Sequence, residues 1–231
     1  MDTSEDKIRI LIADDHPLLR EAIRNTFERH EDIEVLAEVG DGIAAVRLSA
    51  ELKPDVVLMD IMMPNLNGIE ATKQIRRVSP TTAVLILTGY DDDRYVIGLL
   101  EAGAAGYLLK STQGQVLVRA VRAVHDGEAV LHPAIIGKIL KYTTLLESTE
   151  YVGRGKELLS NRELEVLKLA TKGMNNKSIA RELFITVRTV KAHLSSIFSK
   201  MEVASRTEAI VKGMREGWIT LGDLSGEKGE I

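Results

Sequence analysis

Two stretches decide the fold: Ile8-Arg9-Ile10-Leu11-Ile12-Ala13-Asp14-Asp15-His16 and Val56-Val57-Leu58-Met59-Asp60. Each is a short aliphatic run that stops on acid. A run of four to six apolar residues bounded by polar ones reads as a strand buried on both faces. Residues 33–39, 83–88 and 106–109 are further candidate strands, and amphipathic helical stretches separate all five. Five strands alternating with helices predict a five-stranded parallel, doubly wound α/β sheet, which presents ligands at the carboxyl ends of its strands.

At those ends the chemistry gathers. Asp14 and Asp15 follow the first strand, Asp60 ends the third, Thr88 the fourth, and Lys110 follows the fifth. Three carboxylates at one edge repel one another, and a hard divalent cation such as Mg²⁺ is the usual relief. A carboxylate, Mg²⁺, a hydroxyl and a lysine suit phosphoryl transfer onto an aspartate. Taken singly, Lys110 reads equally well as a salt-bridge partner and Thr88 as a strand-end cap.

Beyond Gly127 the alternation stops, and no further strand is expected. Residues 132–146 read as a helix with Ile135, Ile136, Ile139 and Leu140 on one side, and 147–156 as linker. From Ser160 onward the chain reads as all-α: helices at 161–172, 176–183, 187–201 and 206–215, then a polar tail at 222–231. Ser160 and Glu163 have capping-box spacing, with Leu164, Val166, Leu167 and Leu169 expected inside. Thr186 opens the third helix, whose buried stripe is Val190, Leu194, Ile197 and Met201, leaving Arg188, Lys191, Ala192 and Ser195 outward. A helix-turn-helix follows, which places its second helix in a DNA major groove. A three-helix bundle with a solvated basic face has the same periodicity.

Composition bounds the alternatives. Of 231 residues, 45% are hydrophobic and 28% charged, as in a folded soluble protein. Without cysteine there is no disulfide framework, thiolate zinc site or cysteine nucleophile. The longest uncharged run, 78–90, is too short to cross a bilayer, and the acidic N-terminus lacks a signal peptide, so a cytoplasmic protein without membrane association is expected. Net charge is −4, but residues 1–145 carry 16 Lys and Arg against 22 Asp and Glu, net −6, whereas 154–221 carry 13 against 7, net +6. A basic module is joined to an acidic one.

Gly40-Asp41-Gly42-Ile43-Ala44-Ala45 has the G-x-G-x-x-A form of a dinucleotide fingerprint, but the strand before it has one largely charged face, which predicts a sheet edge instead. No P-loop occurs. The five histidines, at 16, 30, 125, 132 and 193, lack paired ligand spacing, which argues against zinc, and His16 is expected to cap the first loop.

Asp14-Asp15, the run from Asp60 to Gly68, Thr88 and Gly106-Tyr107-Leu108-Leu109-Lys110 resemble the flavodoxin-like receiver domain of two-component response regulators, over about 7–127. The resemblance implies that Asp60 accepts a phosphoryl group from a histidine kinase, while Asp15, Asp60 and the Met62 backbone carbonyl ligate Mg²⁺ and Asp14 acts through water. It also implies that Thr88 and Lys110 contact the phosphoryl group and that Tyr107 turns inward. Met62 stands where family members often carry a polar residue, and Tyr90, two residues after Thr88, is bulky, so slow hydrolysis of the acyl phosphate is expected.

From Leu159-Ser160-Asn161-Arg162-Glu163-Leu164-Glu165-Val166-Leu167 through Gly173, Asn176-Lys177-Ser178-Ile179-Ala180, Thr189-Val190-Lys191-Ala192-His193, Lys200 and Arg206-Thr207, the second part resembles the LuxR/NarL-type output domain. That implies Lys191, Ala192 and Ser195 near bases of double-stranded DNA, and Arg188, Thr189, His193 and Arg206 near phosphates. The last helix, with Thr207, Ile210 and Val211, would form the homodimer contact. Domains are expected at 1–128, 157–221 and, as linker with one helix, 129–156. The implied protein is a phosphorylation-switched transcription regulator rather than an enzyme, with RNA polymerase a further candidate partner. An Mg²⁺-dependent phosphohydrolase using Asp60 as nucleophile is the rival reading.

Overall fold

A computed structural model describes residues 7–89, 98, 102–131 and 158–219. Tyr90, the helix expected at 132–146, the linker at 147–156 and the tail at 222–231 lie outside the described residues. The chain falls into two compact units, Met1–His132 and Pro133–Ile231.

In the first unit, β1 (Ile8–Ala13), α1 (Pro17–Phe27), β2 (Ile33–Val39), α2 (Gly42–Leu52), β3 (Val56–Met59), α3 (Gly68–Val78), β4 (Ala83–Thr88), β5 (Gly106–Leu109), α4 (Gly114–His125) and β6 (Val130–Leu131) follow in order. The sheet runs β2-β1-β3-β4-β5-β6, with every pairing parallel. Central β3 is wholly buried, whereas edge strand β2 buries only its two ends, as its charged face requires. Ile10, Ile12, Leu58 and Leu85 pack with Ile23 and Phe27 of α1 and Val121 of α4 in one core cluster.

One expectation fails: a strand does return. Val130 and Leu131 pair with Gly106 and Tyr107, giving six strands instead of five and carrying the sheet past residue 128. Two residues are too few to show a period of two, so only the pairing reveals them.

Two glycines let loops close on the sheet edge. A Cβ on Gly68 would stand 2.1 Å from the Asp60 carbonyl oxygen, and one on Gly42 would stand 2.1 Å from that of Leu66. Gly42 therefore serves a close backbone approach, while Asp41 caps α2 by accepting from the Ala44 N–H. This accounts for the G-x-G pattern without a nucleotide.

The second unit has α5 (Asn161–Thr171), α6 (Asn176–Glu182), α7 (Val187–Met201) and α8 (Arg206–Arg215). Ser160, Asn175, Thr186 and Ser205 each cap the helix they precede through a side-chain oxygen. Val166, Leu167, Ile179, Val190, Leu194, Ile197 and Met201 form the interior, whereas Leu164 and Leu169 are only half-buried. Glu163 does more than complete its capping box. Its buried carboxylate accepts from Ser196 Oγ and from Lys200 Nζ, both at 2.7 Å, and so ties the start of α5 to the second half of α7.

Burial pushes the Glu163 carboxyl up, but the hydrogen bonds from Lys200, Ser196 and Ser160 outweigh it and pull the pKa from 4.5 to about 2. A carboxyl depressed on folding contributes stability that is present above 4.5 and lost as the pH falls toward 2. Glu163→Gln is expected to destabilise the second unit by about 2–3 kcal/mol at neutral pH. It should also flatten the acid dependence. Urea unfolding followed through Trp218, the only tryptophan and a buried one, checks both.

Candidate functional site

Adjacent strands β1, β3, β4 and β5 end side by side, so Asp14, Asp60, Thr88 and Lys110 meet at one edge. Asp60 donates its backbone N–H to the Ala13 carbonyl at 2.8 Å, and Lys110 donates its own to that of Thr88 at 2.7 Å. Asp14 and Asp60 are 2% and 3% exposed, and Thr88 and Tyr107 are fully buried. Tyr107 thus already faces inward.

Lys110 Nζ lies 2.6 Å from Asp14 Oδ2 and 2.8 Å from Asp60 Oδ2, bridging the two carboxylates. The other oxygen of Asp60 accepts from the Ile61 N–H at 2.8 Å. Burial raises the Asp60 carboxyl above its ordinary value, and the Asp14 charge adds to this, against the lowering by Lys110. Burial works to lower the Lys110 ammonium, yet its two carboxylate partners outweigh it and hold it above the ordinary lysine value.

His16 occupies the N-cap position of α1 but makes no cap with its side chain. Its Nδ1 instead lies 2.6 Å from Asp15 Oδ1 and 3.0 Å from Asp14 Oδ1. The possible ligand atoms of Asp14, Asp15, His16 and Asp60 all fall within 4.8 Å of one another. The oxygen donors suit a hard divalent cation. Met62, two residues beyond Asp60, is 47% exposed.

Arg20 is the residue that sequence reasoning missed. Its guanidinium donates to the Asp14 carbonyl and approaches Glu38 at 4.0 Å, fixing the turn that carries the acid pair. A signal existed: Arg20 stands in the first turn of α1, where the helix dipole disfavours a cation, so another partner had to hold it there.

On the second unit Arg188, Lys191, Ala192 and Ser195 are exposed along α7, and Thr189 and His193 are half-buried. Arg206 is different. Expected at phosphates, it is only 3% exposed, donating to Asn176 Oδ1 at 3.2 Å and to the Met174 carbonyl. Its guanidinium joins α8 to the loop before α6. Of the residues expected at a dimer contact, Thr207 and Ile210 are buried within the unit, and only Val211 reaches the surface. Both findings have one cause: α8 is short, and one face of it, with Arg206, Thr207, Ala209, Ile210 and Gly213 buried, is consumed in closing the bundle.

An acidic doubly wound unit joined to a basic helix-turn-helix defines a receiver coupled to a DNA-binding module. Comparison with known families agrees. Residues 10–122 match the response regulator receiver domain, and residues 157–212 match the luxR family of bacterial regulatory proteins. The chain is 40% identical over 228 residues to the transcriptional regulatory protein DegU of Brevibacillus brevis, covering 94% of this chain and 97% of that one. It is 44% identical over 208 residues to LiaR of Bacillus subtilis (strain 168), covering 90% and 97%. The crystal structure of ChrA, the response regulator of a heme-sensing two-component system, matches at 35% identity with TM-score 0.51, covering 92% of this chain and 99% of that one. The chain belongs to the two-component response regulators with a LuxR-type DNA-binding domain. Its relatives are transcriptional regulators, and the phosphohydrolase reading is set aside.

Because folding raises the Asp60 carboxyl, its contribution to stability is fully present below the ordinary value of 3.8 and is lost as the pH rises from there through the raised value of the folded state. Asp60→Asn is expected to unfold at a higher temperature than wild type at pH 7 in metal-free buffer. The advantage should shrink below pH 3.8. Thermal unfolding by circular dichroism decides it, and a lower midpoint for the variant at pH 7 would refute the assignment.

Proposed function

We propose that the protein is switched by phosphorylation of Asp60 and then binds double-stranded DNA as a homodimer. The observation that carries this reading is the buried Asp60 carboxylate, held by Lys110 through one oxygen at an edge that also gathers Asp14 and Asp15. Three carboxylates face one lysine there, an excess of negative charge that favours a divalent cation. Mg²⁺ would be held by Asp15, Asp60 and the Met62 backbone carbonyl, with Asp14 acting through water, and when bound it supplies neutralising charge for phosphoryl oxygens.

An Asp60 carboxylate oxygen attacks phosphorus, and the bond from phosphorus to the histidine nitrogen of the kinase breaks as the new P–O bond forms. Lys110 contacts the incoming oxygens with its ammonium and Thr88 with its hydroxyl. The change at Thr88 is read by Tyr107, which is buried on the neighbouring strand. The output follows from α7, whose Lys191, Ala192 and Ser195 face bases, with Arg188, Thr189 and His193 toward phosphates. Dimerisation through α8 is left to Val211 and the other half-buried residues of that helix, Glu208, Lys212 and Met214. Contact with RNA polymerase would follow operator binding. No helix among the described residues is long and apolar enough to cross a membrane, which accords with a cytoplasmic regulator.

Incubation with Mg²⁺ and acetyl phosphate is expected to add one phosphoryl group to the wild type and none to Asp60→Asn, read by intact-mass spectrometry. Chelation of the metal should abolish the adduct. An equal adduct on Asp60→Asn would place the acceptor elsewhere. The half-exposed Met62 side chain shields the acyl phosphate from water, so Met62→Asn should lose its phosphate faster than wild type in the same assay.

A further inference from the structure

Helix α6 ends in a backbone arrangement that calls for glycine. Leu183 is its C-cap residue. The N–H of Phe184 donates to the Arg181 carbonyl at 3.3 Å and that of Ile185 to the Ala180 carbonyl at 2.9 Å, the paired bonds of a Schellman close. The residue between cap and second bond takes a left-handed conformation, and Phe184 has φ of 54°. Glycine fits there freely, whereas a bulky aromatic is strained. Arg162 pins the turn by donating to the Leu183 carbonyl at 2.6 Å, so the position is well defined.

Neither backbone nor packing explains the aromatic. Phe184 is 95% exposed, the most exposed of the large apolar side chains among the described residues. Strain combined with an unburied apolar ring points to a role outside the fold.

Placement says what the ring meets. Phe184 lies two residues before Thr186, the N-cap of α7, next to the end of that helix which carries Arg188 and Lys191. Arg181, Arg188 and Lys191 are all exposed around it in sequence, in a module of net charge +6 over 154–221. A protein interface would need a wider apolar patch, and among the described residues of this unit only Leu158 is another large exposed hydrophobic. The charge fits a phosphate backbone.

We propose that Phe184 is a DNA contact, its ring packing on the deoxyribose edge of the groove wall beside the start of α7. The inference rests on the reading of α7 as the groove-entering helix. An apolar contact displaces water but no counterions, so it adds affinity without adding salt dependence, unlike a lysine on phosphate.

The test uses the full-length chain treated with Mg²⁺ and acetyl phosphate, with binding to a fluorescein-labelled random-sequence DNA duplex followed by anisotropy across a salt series. Phe184→Gly should bind about fivefold more weakly, with an unchanged salt slope. Its unfolding temperature should equal or exceed that of wild type, because glycine relaxes the turn. Phe184→Tyr, which keeps the ring, should bind like wild type. Lys191→Ala should bind more weakly with a slope reduced by about one. Wild-type affinity in Phe184→Gly, alongside a loss in Lys191→Ala, would overturn this inference alone. Wild-type affinity in both would remove the reading of α7 as well. A fall in unfolding temperature that tracks the loss of binding would assign the ring to the fold. Unchanged DNA binding with reduced transcription by added RNA polymerase would assign it to a protein partner, against the proposal.

Discussion

One ammonium group holds the acidic corner together. Lys110 Nζ reaches Asp14 and Asp60 at once, 2.6 and 2.8 Å away, across the ends of four neighbouring strands. Two buried carboxylates side by side would otherwise repel each other in a medium that screens poorly. The strand order is therefore a condition of the site. With β3 between β1 and β4, and β5 beyond, the strand ends that carry the acid pair, Asp60, Thr88 and Lys110 lie along one edge. Gly68 and Gly42 complete the arrangement by letting the loops after β3 and β2 approach so closely that a single Cβ would collide with backbone.

The second unit solves a related problem with the opposite outcome. Glu163 is as buried as the aspartates, yet four donors satisfy it, two from Ser160 and one each from Ser196 and Lys200. Its charge is therefore stabilised, whereas that of Asp60 is penalised. The difference separates a residue that holds a helix in place from one whose charge burial leaves only partly compensated. A carboxylate fully saturated with hydrogen bonds makes a poor nucleophile and a good strut.

The order of elements was legible because four of the first five strands end on or run into polar residues, β2 runs into Gly40, and the caps of the four C-terminal helices are oxygen-bearing side chains. Asp14, Asp15, Asp60, Thr88 and Lys110 were legible together because topology brings the ends of parallel strands to one edge whatever the details of packing. What escaped is what depends on tertiary partners. Strand β6 is defined by pairing with β5 and has no period of its own. Arg206 looks like a phosphate ligand until its bonds to Asn176 and Met174, thirty residues earlier in the chain, draw it inside. Thr207 and Ile210 follow the same face. Phe184 sits in the short turn between two helices with no signal of its own in the sequence, and only its left-handed backbone and exposure single it out.

Phosphorylation of Asp60 would act on a site that is already short of neutralising charge. A phosphoryl group brings between one and two further negative charges and three acceptor oxygens into a pocket where the aspartate alone is penalised by burial. Lys110 cannot keep both carboxylates and also serve those oxygens, so its bridge to Asp14 must yield or be shared with a cation. The hydroxyl of Thr88, at the end of the adjacent strand, is the neutral donor of the set. Any movement there is transmitted across the ladder to β5, because Thr88 pairs with Leu109 and Ile86 with Tyr107. A residue as fully buried as Tyr107 cannot follow that movement without opening or closing volume beneath the sheet edge. The cost of burying Asp60 would thus make the corner sensitive to added charge, whereas Glu163, with four donors already committed to it, is held in place.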